Sequence, residues 1–171
     1  MRRQLYLDIK NCLKSVLKPD KTQMFEHFDL WNQQVDFLEQ ETPFKFPAIF
    51  VEFLPIVWNK MGYNKQNADI SLRVHIVSRW HSNSADYNPQ EYDALEYLEL
   101  ADIVNNALTN FATTSGNRFM RTRSEINHNH ETILDSIEEF TCNVIDISGF
   151  PEYVAVNNVV PVITTNSNHN V

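Results

Sequence analysis

The run "ADISLRVHIVSRW", residues 68 to 80, alternates between apolar and polar side chains. Successive side chains of an extended chain point to opposite faces, so Ile70, Leu72, Val74 and Ile76 share one face. Asp69, Ser71, Arg73, His75 and Arg79 share the other. This period of two is that of a strand with one dry and one wet face, the kind found in antiparallel sheets. On this pattern His75 is expected at the surface, as a polar-face residue and not a base.

The rest of the chain supplies partners for that strand. Residues 4 to 18 place Leu5, Ile9, Cys12, Leu13 and Val16 at helical spacing, with Arg3, Lys10, Lys14 and Lys18 as a basic edge, and Pro19 ends the run. Strands are expected over 24 to 31 and over "AIFVEFLPIVW", where Pro55 implies a bulge or a sheet edge. "NKMGYNKQN" has the composition of a hairpin turn. A second helix runs from about 90 to 112, with Ala94, Leu98, Ala101, Val104, Leu108 and Phe111 on its buried side and Glu91, Glu99 and Asp102 opposite. Strands resume with "RFMRTRSEI" and "ETILDSIEEFTCNVID". The parity of Ile133 and Ile137 does not continue into Phe140, Cys142 and Val144, which predicts a bulge near Glu138 and Glu139. The expected fold is α+β, a mostly antiparallel sheet covered by two amphipathic helices. Residues 1–149 are expected to form one domain, and 150–171 an extended C-terminal arm.

Composition narrows the chemistry. With 171 residues, 43% hydrophobic, the chain has enough apolar material for one core. Its 3 glycines and the absence of GxGxxG or GxxxxGK[ST] leave no nucleotide-binding glycine loop. A net charge of −8 argues against a protein that coats nucleic acid. Cys12 and Cys142 are isolated, with no CxxC or Cys/His ladder, so free thiols in a reducing compartment are expected. No signal peptide or membrane-spanning run is evident, which implies assembly inside a cell.

"INHNHET", residues 126 to 132, raises the question of a metal site. Histidines two apart on a strand share a face, so His128 and His130 could chelate with a carboxylate from Glu125, Glu131 or Asp135. Between Ile126 and Ile133, however, there is no apolar residue, which is how a polar loop between two strands reads. The loop reading is the stronger, and no catalytic, metal or cofactor residue is assigned. Glu138 with Glu139 and Glu39 with Glu41 are expected to be solvated.

Four stretches together, "LWNQQVDFLEQETPFKFPAIFVEF", "GYNKQNADISLRVHIV", "ALEYLELADIVNNAL" and "RSEINHNHETILDSIEEFTCNV", resemble the tail-terminator (tail-completion) proteins of long-tailed phages. The resemblance spans roughly residues 4 to 147 and lies in element order and strand character, with no catalytic signature. It implies a sandwich related to the tail-tube fold. It also implies a homo-oligomeric ring, usually a hexamer, seated on the last ring of the tail tube. Such a ring ends tube growth and meets the neck or head-completion protein. It is part of the virion, and genomic DNA passes through it without specific binding. Acidic walls suit that passage, because they repel phosphate. Candidate contact residues are Lys10, Lys14, Glu99 and Asp102, with the lysines facing a neighbour's carboxylates. To these are added Trp58, Tyr63, His128 and His130 on or beside the polar loops, and Val159, Val160, Val162 and Ile163 in the arm. The alternatives are a head-completion or stopper protein of the neck, a small metal hydrolase using His128 and His130, and a host-encoded binding module.

Overall fold

In the computed structural model the described residues are 1–35, 44–80, 91–114, 117–129 and 132–149, with 91–94 described in backbone alone. The expectations for the arm, for Glu39 and Glu41, and for the loop at 81 to 89 lie outside them. The order is α1 (Arg2–Lys14), β1 (His27–Leu30), β2 (Ala48–Phe53), β3 (Asn59–Gly62), β4 (Lys65–Arg79), α2 (Glu91–Asn110), β5 (Met120–Asn127) and β6 (Ile133–Asp146). The strands form one sheet in the order β1-β2-β4-β6-β5, with β3 also paired to β4. β1 and β2 run parallel, and the other pairs are antiparallel. The fold is therefore α+β, built on a mixed, mostly antiparallel sheet.

β4 and β6 are its centre, pairing without interruption from Gln66 with Asp146 to Arg79 with Ile133. Both helices lie on one face. Leu5, Ile9 and Leu13 of α1 and Leu100, Val104 and Leu108 of α2 meet Ile70, Leu72, Val74, Ile76, Phe140, Cys142 and Val144. Burying such a side chain contributes about 1.5–3 kcal/mol, so this layer is the main source of stability. Cys12 and Cys142 are free, as expected, and burial pushes both thiols up from the ordinary range.

Four expectations need correction. The second face of the sheet is not wet: Val35, Ala48, Phe50, Val77 and Ile133 form a smaller cluster there, with Trp31, Phe44 and Phe46 packed on it. His75 is consequently buried, at 3% exposure. The expected bulge in β6 is absent, because the change of parity at Ile133 marks this second apolar cluster and not a kink. The irregularity lies instead on β5, where Arg121 and Arg123 oppose the adjacent residues Phe140 and Glu139. On α2 the broad apolar arc cannot all face the sheet, and Leu98 is left 47% exposed while Leu100 is buried. Finally, β2 stops at Phe53, so Pro55 lies beyond the strand.

The β3–β4 hairpin turns through Tyr63 and Asn64, both with positive φ (45° and 59°). Positive φ at both central residues suits the right-handed twist of the flanking strands.

The middle of α1 is tied to the segment after α2 by Asp8. Its carboxylate accepts the Thr114 hydroxyl (2.6 Å), the Thr114 amide (3.1 Å) and the Gln4 side-chain amide (2.8 Å). Partial burial opposes the charge, but these hydrogen bonds outweigh it and hold the carboxyl below its ordinary value. A depressed folded value gives stability that is present above the unfolded pKa and lost as pH falls through the folded one. Asp8→Asn is therefore expected to remove a small part of the acid-induced loss of stability below about pH 4. Urea midpoints at pH 7 and pH 3 measure the difference.

Candidate functional site

The second face holds the most concentrated polar chemistry among the described residues. The strand register places Phe50, His75 and Ile137 abreast, and Asp135 sits diagonally to His75, two residues along β6. His75 Nδ1 lies 3.1 and 3.2 Å from the two Asp135 carboxylate oxygens, and Asp135 is fully buried. The carboxylate thereby fixes the ring orientation, with Nδ1 as the donor. The indole of Trp31 lies flat on the imidazole, at a centroid distance of 3.7 Å and an interplanar angle of 3°.

His75 Nε2 has no hydrogen-bond partner. Glu52 Oε2 stands 3.6 Å away, close enough for an electrostatic contact but too far for a hydrogen bond. Glu52 also meets the Arg73 guanidinium at 3.4 Å, and Arg73 reaches Glu139 at 3.5 Å. An aspartate orienting a histidine is the arrangement that prepares imidazoles for proton transfer. Here the free nitrogen is buried and faces a carboxylate. Ser78 and Cys142 belong to the opposite strand parity, that of the helix-covered face. The arrangement fits a polar pin joining β2, β4 and β6 beneath Trp31.

A second charged group lies under α2. Glu138 is 3% exposed and not solvated as expected from sequence. It accepts the Ser124 hydroxyl at 2.6 Å and meets Arg121 at 3.2 Å. Arg121 also meets Asp102 at 3.7 Å. The sequence offered no signal for these pairs, because the β5–β6 register brings Ser124 opposite Glu138 and Arg121 diagonal to it, and the packing of α2 brings Asp102 to Arg121.

Among the described residues, no group of three or more His, Cys, Asp or Glu side chains is placed to hold a metal ion. His128 is exposed just beyond β5, next to Asn129, whose amide is bonded to the Asn127 side chain at 3.1 Å. This is the loop tip expected from the polar run, and His130 lies outside the described residues. No helix among the described residues is long and apolar enough to cross a membrane.

The remaining expected contact residues scatter. Lys10 Nζ stands over the Tyr6 ring at 5.8 Å, and Lys14 Nζ over Phe28 at 5.7 Å. Both cations thus have aromatic neighbours within their own chain. Glu99 and Asp102 are exposed on α2. Trp58 packs against the principal core, whereas Tyr63, at the hairpin tip, is 93% exposed. Val159, Val160, Val162 and Ile163 lie outside the described residues. Sequence reasoning missed the exposed Val57, Met61 and Leu95 (77%, 54% and 39%), since nothing in their spacing separates them from core residues.

No family model matches this chain, and no curated protein matches it.

Proposed function

We propose that this chain is a structural protein that acts by self-association, as a tail-terminator ring at the head-proximal end of a long-tailed phage tail. In this reading the helix-covered sheet is a tail-terminator-like sandwich. The ring, a hexamer by the family resemblance, ends tube growth and offers a surface to the neck, while DNA passes its acidic wall without specific binding. The observation that carries the self-association part is the placement of exposed apolar side chains. Val57, Met61 and Tyr63 gather around one hairpin, and Leu95 and Leu98 on one face of α2. Grouped exposed apolar residues are characteristic of protein contact sites. The phage assignment rests on the order of elements and the strand character of the four quoted stretches. A head-completion role in the same neck is the nearest alternative, and the two differ in which partner the ring touches.

Negative-stain microscopy of the purified full chain, alone and with phage tail tubes, tests this. The expected result is annular particles with a central opening, binding at one end of the tube. A monomer at every concentration, with no tube binding, would remove the proposal.

A further inference from the structure

We propose that copies of this chain join head to tail, the β3–β4 hairpin tip of one copy seating in the cleft between α2 and β5 of the next. The inference rests on the self-association reading and adds the surfaces that carry it.

The hairpin is built to be bound. Tyr63 is 93% exposed, with a backbone φ of 45°, in the left-handed region that bulky side chains rarely adopt. Asn or Gly would occupy that position with less strain, so a solvent-facing tyrosine there is unexplained by the hairpin itself. Val57 and Met61 extend the apolar surface beside it, at 77% and 54% exposure. Residues 56 to 67, "IVWNKMGYNKQN", include Lys60 and Lys65 and no carboxylate, in a chain whose net charge is −8. Aromatic anchors of this kind commonly carry the binding energy of an interface.

The cleft is its chemical complement. It encloses about 600 Å³ and is lined by Leu98, Ala101 and Ile126, with Asp102, Glu125 and Glu138 among its polar walls. Leu98 is exposed where it lines the cleft, Leu95 is exposed about one turn before it on α2, and Glu99 and Asp102 stand exposed on the same helix. Arg121 lines the cleft too, paired with Glu138 and Asp102, and Glu125 is paired with Arg123 at 2.7 Å, so the recess is acidic by the excess of its carboxylates over these cations and by the neighbouring Glu99. An apolar and basic projection thus matches an apolar and acidic recess.

The two surfaces lie far apart on the sheet. β4 runs from Lys65 at the hairpin to Arg79, roughly 45 Å at the usual strand rise. The hairpin lies on the β2 side of β4 and at its first end. The cleft residues Ser136 and Glu138 pair with Ile76 and Val74 toward the other end, on the β6–β5 side. Two different surfaces on one chain can meet reciprocally about a two-fold axis, which stops at a dimer, or head to tail, and the ring of the functional proposal requires the second. The head-to-tail contact is heterologous, and it closes into a ring or grows as a filament.

Sedimentation velocity on the full-length chain tests this with Tyr63→Asp and Leu98→Asp, both at exposed positions and both checked for folding by circular dichroism. Each variant alone is expected to lose assembly, with association weakened at least tenfold. Mixed together, they should form one-to-one dimers that grow no further, because one intact hairpin meets one intact cleft. Lys60→Glu should weaken assembly, and adding Glu99→Lys to it should restore assembly in part. If the unaltered chain assembles and the variants assemble equally well, the surfaces are wrong while self-association stands. If the unaltered chain stops at a dimer, or if both variants fail to assemble and do not pair when mixed, the head-to-tail arrangement is wrong. If the unaltered chain is monomeric at all concentrations, this inference and the functional proposal fall together.

Discussion

His75→Phe is expected to destabilise the fold by about 1–3 kcal/mol, the range for leaving a buried polar group without its hydrogen-bond partner. Phenylalanine keeps a flat ring beneath Trp31, so the stack survives and the loss is that of the hydrogen bond. What disappears is the Nδ1 donor that meets both oxygens of Asp135, a residue with no exposure to solvent. Removing Asp135 as well, in His75→Phe/Asp135→Leu, should recover most of the loss, because a buried pair replaced by apolar groups of similar size is often neutral. Urea unfolding of the two variants decides it. The midpoint should fall in the single variant and return in the double one, with little change in slope. A single variant as stable as the parent would mean that the pair is not the pin described above.

Phe140→Ala is expected to cost about 3–5 kcal/mol by a different route, the loss of transfer free energy and the opening of a cavity. Phe140 is fully buried and meets Phe119 edge to face, with ring centroids 6.5 Å apart and an interplanar angle of 82°. It pairs with Leu72 at the middle of the β4–β6 ladder, where neighbours on both sides restrict collapse into the vacated space. Leu98→Ala on the exposed side of α2 should change stability by less than about 0.5 kcal/mol, as surface substitutions usually do. Thermal unfolding of the two variants separates core from surface on the same side of the sheet. Comparable losses would mean that Leu98 is packed and the cleft is not open.

The sequence by itself determined the local elements and one face of the sheet. Ile70, Leu72, Val74 and Ile76 announce β4 by alternation, and Leu5, Ile9 and Leu13 announce α1 by a spacing of four. Both signals survive because each needs only the geometry of its own segment. The hairpin at 59 to 67 and the polar tip at His128 were legible for the same reason. Tertiary structure decided the rest. His75 looked solvated because its strand neighbours Arg73 and Arg79 are polar. It is buried because Trp31, Phe44 and Phe46, distant in sequence, cover that face. Asp135 and Glu138 looked like ordinary acidic residues, and their partners come from other strands through a register that no single segment encodes. The exposure of Tyr63 and Leu98 has the same origin. An apolar residue is a core residue or a contact residue according to what the fold brings against it, and a side chain's own hydrophobicity is identical in both cases.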